Sequence, residues 1–423
     1  MSDKLTAENV FKIFGPEPEQ ALELVRGGAS KDEVFSETKS VVAVNDVSFK
    51  VKEGEIFVVM GLSGSGKSTL IRCLNRLFEP TAGRITLDDT DITAANDEQL
   101  RQLRLTKMAM VFQHFALFPH KTVWENAAYG LKVRNVDVEE RREKALAALK
   151  SVGLEAWADS YPKNLSGGMQ QRVGLARALA VSPEVLLMDE PFSALDPLIR
   201  RDTQDELIEI QERLGTTIVF ITHDLQEALK LGNQIAIMKD GRFVQVGTAQ
   251  EIVVEPADDY VFEFTRDVDR SRVLTFGSIR EEAVTLTGDE TVDTMRSRFE
   301  DRAELKGMFV VDSANKPIGL VERDKLDDAE SGATAKSLMD RRFAKVRRSS
   351  YICESFDRLG DHKLFAVIDR EGKLRGMVDP MKVFQHLEQP SEESAPEGGD
   401  SAQQQEGEGA QDSAVARLAQ ETA

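Results

Sequence analysis

Gly61-Leu62-Ser63-Gly64-Ser65-Gly66-Lys67-Ser68 follows the apolar run Ile56 to Met60 and opens the helix-forming stretch Ser68 to Leu77. The pattern G-x-x-x-x-G-K-[ST] between a buried strand and a helix constrains the fold more than any other part of the chain. Its glycines let the backbone wrap so that successive amides point at one phosphate group, and the helix amino terminus adds a favourable dipole. In such a loop Lys67 reaches the outer phosphate oxygens and Ser68 binds magnesium. A strand that feeds a helix this way belongs to an α/β sheet with parallel strands.

The rest of Val41 to Asp240 agrees with that requirement, because strand-like and helix-like stretches alternate along it. Val185 to Met188, Thr217 to Ile221 and Gln234 to Met238 read as further strands, and their unbroken apolar character implies burial on both faces. Helices are expected over Glu139 to Val152, Gly168 to Ala180 and Pro197 to Leu214. Before this core, Pro16 to Ser40 holds two short helix-like pieces, Gln20 to Arg26 and Lys31 to Glu37, separated by Gly27 and Gly28. An inserted helical hairpin and a loose surface loop both fit that segment.

The 423 residues suggest two to four domains at roughly 100 to 200 residues each. The 54 basic and 73 acidic side chains leave a net charge of −19, which argues against a general nucleic-acid binder, since binding of that kind needs a basic footprint. Apolar runs are strand-sized, short of the roughly 18 residues of a membrane span, and Met1 to Val10 lacks a secretory signal. The chain is therefore expected to stay in the cytoplasm. Cys73 and Cys353 stand too far apart for a disulfide framework or a cysteine metal site.

After Asp267 an internal repeat begins. Val310, Val311, Asp312, Lys316, Gly319 and Val321 recur 57 positions later as Val367, Ile368, Asp369, Lys373, Gly376 and Val378. Each copy reads strand, turn, strand, and two copies imply a pseudo-symmetric pair. Arg341, Arg342, Lys345, Arg347 and Arg348 form a basic cluster in this acidic chain. From Gln389 the sequence is Ser, Glu, Gln, Gly and Ala with no aromatic residue, and 391–423 has eight acidic residues against Arg417 alone. Such a tail is expected to be disordered.

Two more motifs bear on chemistry. Val185-Leu186-Leu187-Met188-Asp189-Glu190 delivers two carboxylates from the end of a buried strand: Asp189 suits magnesium, usually through water, and Glu190 suits polarising an attacking water. Leu165-Ser166-Gly167-Gly168-Met169 opens a helix as a second anion cradle. At this point the chain resembles the ATP-binding cassette (ABC) family, whose signature reads Leu-Ser-Gly-Gly-Gln, with Met169 departing at the last position.

That resemblance implies a P-loop NTPase of the ABC type that hydrolyses ATP with Mg2+. It implies a head-to-tail homodimer in which Ser166, Gly167 and Gly168 of one chain close over ATP held by Gly61 to Ser68 and Thr69 of the other. Gln113, in Val111-Phe112-Gln113-His114-Phe115, matches the family's glutamine loop, which senses magnesium and the membrane partner. His223 matches the switch histidine at the γ-phosphate. Ser193-Ala194-Leu195-Asp196 matches the loop that crosses the dimer interface, and Phe14 stands where the family places an aromatic ring on adenine, with core packing as the rival role.

The likeness sharpens to the ATPase subunit of glycine betaine/proline-type (quaternary amine) importers. It is carried by Val10 to Gly15 with the hairpin after it, Glu53 to Ser63, and Phe192 to Arg200, and runs from about Leu5 to Asp269. In that family the repeat is a tandem pair of cystathionine-β-synthase (CBS) domains. The expected organisation is an ABC ATPase domain over 1–269 with the hairpin at 16–40, an α+β tandem CBS module over 270–388, and the acidic tail 389–423.

The implied role is import of glycine betaine, proline or related osmoprotectants, with choline or an amino acid as the alternative solute. Implied partners are transmembrane permease subunits, an extracytoplasmic solute-binding protein indirectly, and an anionic lipid or nucleotide second messenger at the CBS pair. The segment His114 to Gly130 suits a groove for a permease helix, and the implied location is the inner face of the cell membrane. A DNA-repair cassette would carry a long coiled coil between Thr69 and Asn164, where no sustained heptads occur. A ribosome-binding cassette protein would carry a second phosphate loop, and a non-hydrolysing binder would lack Glu190 or His223.

Overall fold

Alternate residues of one strand face two different cores. In β3 (Ile56–Met60), Ile56, Val58 and Met60 enter one apolar cluster while Phe57 and Val59 enter another. Side chains on a strand alternate sides, so a strand covered on both faces must be apolar throughout, as this one is. The computed structural model describes residues 2–113, 116–193, 195–302, 304–327, 329–330 and 332–387. The acidic tail, along with His114, Phe115 and Ala194 of the motifs above, lies outside the described residues.

Contacts divide the chain into one unit ending at Phe264 and a second starting at Thr265. In the first, β1 (Asp3–Phe14) and β2 (Val41–Lys52) pair antiparallel. Between them lie α1 (Pro18–Arg26) and α2 (Lys31–Thr38), so the hairpin reading of the insertion is the one the structure adopts. Pro18 starts α1, Gly27 and Gly28 end it, and Ser30 and Glu33 form a reciprocal cap on α2. Ala21, Leu22, Val25 and Val34 bury against Phe11, Ile13 and Val42 of the strands.

The phosphate loop leads from β3 into α3 (Lys67–Leu74). Then come β4 (Ala82–Leu87), β5 (Thr90–Asp91), α4 (Asp97–Thr106) and β6 (Met108–Val111). A helical stretch follows: α5 (Val123–Ala127), α6 (Tyr129–Val133), α7 (Val138–Ser151) and α8 (Gly167–Leu179). The remaining elements that build the site are β7 (Val185–Asp189), α9 (Pro197–Leu214), β8 (Thr217–Thr222), α10 (Leu225–Leu231), β9 (Gln234–Lys239) and β10 (Arg242–Gly247).

The main sheet runs β10-β9-β3-β8-β7-β6, parallel except for β10. A second, antiparallel sheet runs β2-β1-β4-β5. The cluster containing Phe57, Val59, Val185, Leu187, Val219 and Ile221 joins the two sheets, and the opposite face packs on the helices through Leu149, Val173 and Ala176. The ends of β3, β7 and β8 therefore arrive side by side, carrying Gly61, Asp189-Glu190 and His223. In an α/β sheet this carboxyl edge is where ligands are held.

The second unit repeats one design. β11 (Thr285–Leu286), β12 (Gly307–Val311) and β13 (Pro317–Glu322) form one three-stranded sheet, and β14 (Ala344–Arg347), β15 (Phe365–Ile368) and β16 (Leu374–Val378) form the other. In each, the first pair is parallel and the second antiparallel. The turns match atom for atom. Asp312 Oδ1 accepts from Ala314 N and Lys316 N at 2.9 and 2.8 Å, and Asp369 Oδ1 accepts from Glu371 N and Lys373 N at 2.9 Å each.

Candidate nucleotide site

The phosphate loop is pressed between backbone on two sides, and this is why it needs glycine. A Cβ at Gly61 would sit 2.1 Å from the Met238 carbonyl oxygen, and one at Gly66 would sit 2.1 Å from that of Ala43. Gly66 also has φ +103°, outside the range that L side chains favour. Lys67 is 4% exposed, and its Nζ donates to the carbonyls of Gly61 and Leu62 at 2.8 Å each. The ammonium is thus folded over its own loop, held by bonds it can exchange for phosphate oxygens. Ser63, Gly64 and Ser65 complete the wrap, and Thr69 lies on the first turn of α3.

Ser68 Oγ donates to Asp189 Oδ1 at 3.0 Å. The other oxygen, Oδ2, is buried without a hydrogen-bond partner and lies 3.5 Å from Arg72 Nη2. Burial pushes the Asp189 carboxyl above its ordinary range, partly offset by Ser68 and Arg72. A buried carboxylate oxygen with a spare lone pair beside a serine hydroxyl is a donor set suited to a hard cation such as Mg2+. Arg72 was not among the residues the sequence singled out. Its signal was faint: it lies one helical turn past Ser68 on the same helix, close enough to face the acid that Ser68 meets.

Glu190 follows at φ +44°, with its N–H on the Ile221 carbonyl at 3.1 Å. Its Oε2 is 2.9 Å from His223 Nδ1 and 3.4 Å from Gln113 Nε2. Three loops that are remote in sequence thus converge on one carboxylate oxygen. Gln113, expected both beside Glu190 and His223 and with the metal ligands Ser68 and Asp189, lies on Glu190. Behind His223, Thr222 donates to buried Glu227 at 2.7 Å, and Arg200 bonds Asp224 at 3.0 Å. Burial raises the Glu227 carboxyl. Neither Glu227 nor Arg200 was read from the sequence as part of the site, although Asp224 followed by Glu227 is a recognisable helix start.

The signature serine caps α8, with Ser166 Oγ accepting from Met169 N at 3.3 Å. Gly168 lies tight against α9, where a Cβ would come 3.0 Å from Ile199 Cγ2. Asp196 caps α9 by accepting from Leu198 N and Ile199 N at 3.2 Å each. Arg177 on α8 donates to the Ala116 carbonyl at 2.7 Å, which ties the signature helix to the chain just after Gln113.

Of the two roles open to Phe14, the structure shows the packing one. It is 7% exposed, with its ring edge-on to Phe78 at 5.3 Å between centroids and Lys12 Nζ 4.7 Å from its centroid. The ring is packed in the rival role, against Phe78 and under Lys12.

The ABC transporter family model matches residues 44–193, and the CBS domain model matches 276–332. The glycine betaine transport ATP-binding protein OpuAA of Bacillus subtilis is 48% identical over 377 residues, 89% of this chain and 90% of that protein. The glycine betaine/proline betaine transport system ATP-binding protein ProV of Salmonella typhimurium is 45% identical over 401 residues, 92% and 98% of the two chains. Among solved structures, the dimeric post-hydrolysis state of an ATP-binding cassette bound to ADP and Pi matches with a TM-score of 0.50 and 34% identity, over 58% of this chain and 98% of that one. In the described residues no helix is long and apolar enough to cross a membrane. With its phosphate loop, paired acids and His223 on one sheet edge and a CBS domain after them, the chain belongs to the ABC transporter family, as an ATP-hydrolysing transport ATP-binding protein.

Proposed function

We propose that this chain powers the import of glycine betaine, proline or a related quaternary amine, hydrolysing ATP as a head-to-tail homodimer docked on permease subunits at the inner face of the membrane. The observation that carries the catalytic part is the convergence of His223 and Gln113 on Glu190 at the edge of the phosphate loop. Glu190 accepts the proton of the attacking water, and His223 and Gln113 orient its carboxylate. Lys67 and the loop amides hold the β and γ phosphates. Bound at Ser68 and Asp189, Mg2+ would neutralise charge on the phosphate oxygens. Ser166, Gly167, Gly168 and Asp196 serve the nucleotide of the partner copy, Ser166 through the amino terminus of α8.

The solute reading rests on likeness along nearly the whole chain to glycine betaine transport proteins of two organisms. The test is uptake by vesicles containing this chain with its permease and solute-binding protein. Uptake of glycine betaine or proline with matching ATP hydrolysis supports the reading. Uptake confined to choline or to another amino acid transfers it to that solute, and no ATP hydrolysis overturns it.

The domain from 270 to 388 acts as a regulatory module in this proposal. Arg341, Arg342, Lys345, Arg347 and Arg348 are all exposed, with Lys345 and Arg347 on the outer face of β14. A basic surface of this kind suits an anionic lipid or a phosphate-bearing messenger, and its contacts weaken as the Debye length falls from about 10 Å at 0.1 M salt to about 3 Å at 1 M. Neutralising the five side chains should raise transport at low internal salt and flatten the salt response. An unchanged salt curve would remove the module from regulation by charge.

A further inference from the structure

The turn between β9 and β10 is a two-residue hairpin in which Lys239 pairs with Arg242 and both central residues are left-handed, Asp240 at φ +50° and Gly241 at φ +79°. Asp-Gly is the preferred pair for this geometry, which makes the turn stiff. It touches three elements. Gly241 N donates to the Ser65 carbonyl inside the phosphate loop at 2.9 Å, and the Gly241 carbonyl accepts from Asn45 N of β2 at 2.8 Å. On its outer side, Asp240 Oδ1 lies 3.5 Å from Nζ of Lys31, the first residue of α2 in the inserted hairpin.

The hairpin is itself fixed at its root. Phe14 pairs with Val41, and Gly15 lies so close to Ser40 that a Cβ there would come within 2.5 Å of Ser40 Oγ. Two residues past Val41 is Ala43, whose carbonyl presses on Gly66. The hairpin therefore reaches the phosphate loop at two points: at Gly66 through the strand it leads into, and at Ser65 through Lys31 and the Asp240-Gly241 turn. Burial pulls the Lys31 amine below its ordinary value while Asp240 opposes it, so this ammonium is partly withdrawn from water.

We infer that the inserted hairpin braces the phosphate loop, with Lys31 a positioning residue that acts through Asp240 and Gly241 on Ser65 to set nucleotide affinity. This rests on the ATP-binding reading above and adds a residue that the nucleotide does not touch. The contact is a partly exposed ion pair, so its removal should cost little stability and shift affinity modestly. Lys31 is 30% and Asp240 71% exposed, which places the pair where salt screens it.

The experiment uses the full chain, with steady-state ATP hydrolysis and equilibrium binding of a fluorescent ADP. Lys31→Met should raise KM for ATP and Kd for ADP about two- to fivefold, the range of an exposed ion pair, with kcat unchanged. Lys31→Arg should restore both constants. Asp240→Asn should give the same rise, the double variant should add nothing further, and the difference should shrink between about 0.1 M and about 1 M salt. Unmoved KM and Kd in Lys31→Met, or losses that multiply in the double variant, would overturn the brace while wild-type hydrolysis leaves the ATPase reading standing. A lowered melting temperature with KM unmoved would also overturn it, leaving Lys31 a structural contact. A wild-type chain that neither binds nor hydrolyses nucleotide overturns the reading beneath it.

Discussion

Nδ1 of His223 lies 2.9 Å from Oε2 of Glu190, across the gap between the ends of two neighbouring strands. The carboxylate is only 14% exposed whereas the imidazole is 57% exposed, so the acid is fixed by its surroundings and the histidine is free to follow a ligand.

If the pair works as a unit, Glu190→Gln and His223→Ala should each lower the rate of phosphate release by about a hundredfold or more, the usual scale for losing a positioned base. Combining them should cost scarcely more than the worse single change, as for other groups that act together. ATP retention on filters should stay near wild type in both. Rapid turnover by purified Glu190→Gln would remove Glu190 from the role of base.

Asp189 gives a prediction in pH. Burial raises its carboxyl in the folded chain, so its stabilising contribution is present in acid, below the unfolded carboxylate range, and is lost as pH rises through the folded value. At neutral pH the ligand-free protein therefore carries a buried charge at a cost. Asp189→Asn keeps an acceptor for Ser68 and removes that charge. It should melt about 2–4 °C higher for each 1 kcal/mol recovered at pH 7, and the gain should vanish toward pH 3. Hydrolysis should be abolished at every pH. A variant that melts lower than wild type at pH 7 would contradict the cause assigned to the shift.

The two glycine environments separate contact from conformation. Gly66→Ala should abolish ATP binding, because its Cβ would strike the Ala43 carbonyl. Gly28→Ala, at φ +92° with nothing within 4 Å, should cost roughly 1–2 kcal/mol of stability and leave ATP binding intact. Calorimetric titration with ATP checks both, and normal binding by Gly66→Ala would refute the close approach.

A composite dimer predicts recovery on mixing. Chains carrying Ser166→Ala and chains carrying Lys67→Ala, each inactive alone, can form heterodimers in which one site is damaged twice and the other is intact. Partial ATPase activity should return when tagged subunits exchange. Its absence, with exchange verified by the tag, would place Ser166 on the nucleotide of its own chain.

Much of the main sheet was legible because a strand covered on both faces must be apolar throughout, and Ile56–Met60 and Val185–Met188 satisfy that without help from the rest of the chain. The phosphate loop was legible because its glycines answer a local demand. Arg72 beside Asp189 and Glu227 beneath Thr222 were not, since neither local pattern says which distant strand will end beside it. Phe14 was left between two roles for a related reason: its surroundings are made by Phe78 and Lys12, and sequence alone does not tell an aromatic that receives a ligand from one that fills a corner. The hairpin's contact from Lys31 to Asp240 spans more than two hundred residues of chain and left no trace in either segment.

The matching aspartate turns of the second unit, Asp312-Ser313-Ala314-Asn315-Lys316 and Asp369-Arg370-Glu371-Gly372-Lys373, differ at all three central residues. The left-handed position is Asn315 in the first copy and Gly372 in the second, with φ +59° and +80°. Asn315 uses its side chain and its own carbonyl to grip Leu374 of the other copy, donating Nδ2–H to the Leu374 carbonyl at 3.2 Å and accepting from Leu374 N at 2.8 Å. Glycine can take the same bend but has no amide to extend, so the grip has a direction. The two halves are joined as plug and socket, and only the copy that carries Asn315 supplies the side-chain plug. That one-way contact gives the repeated module a fixed sense of front and back.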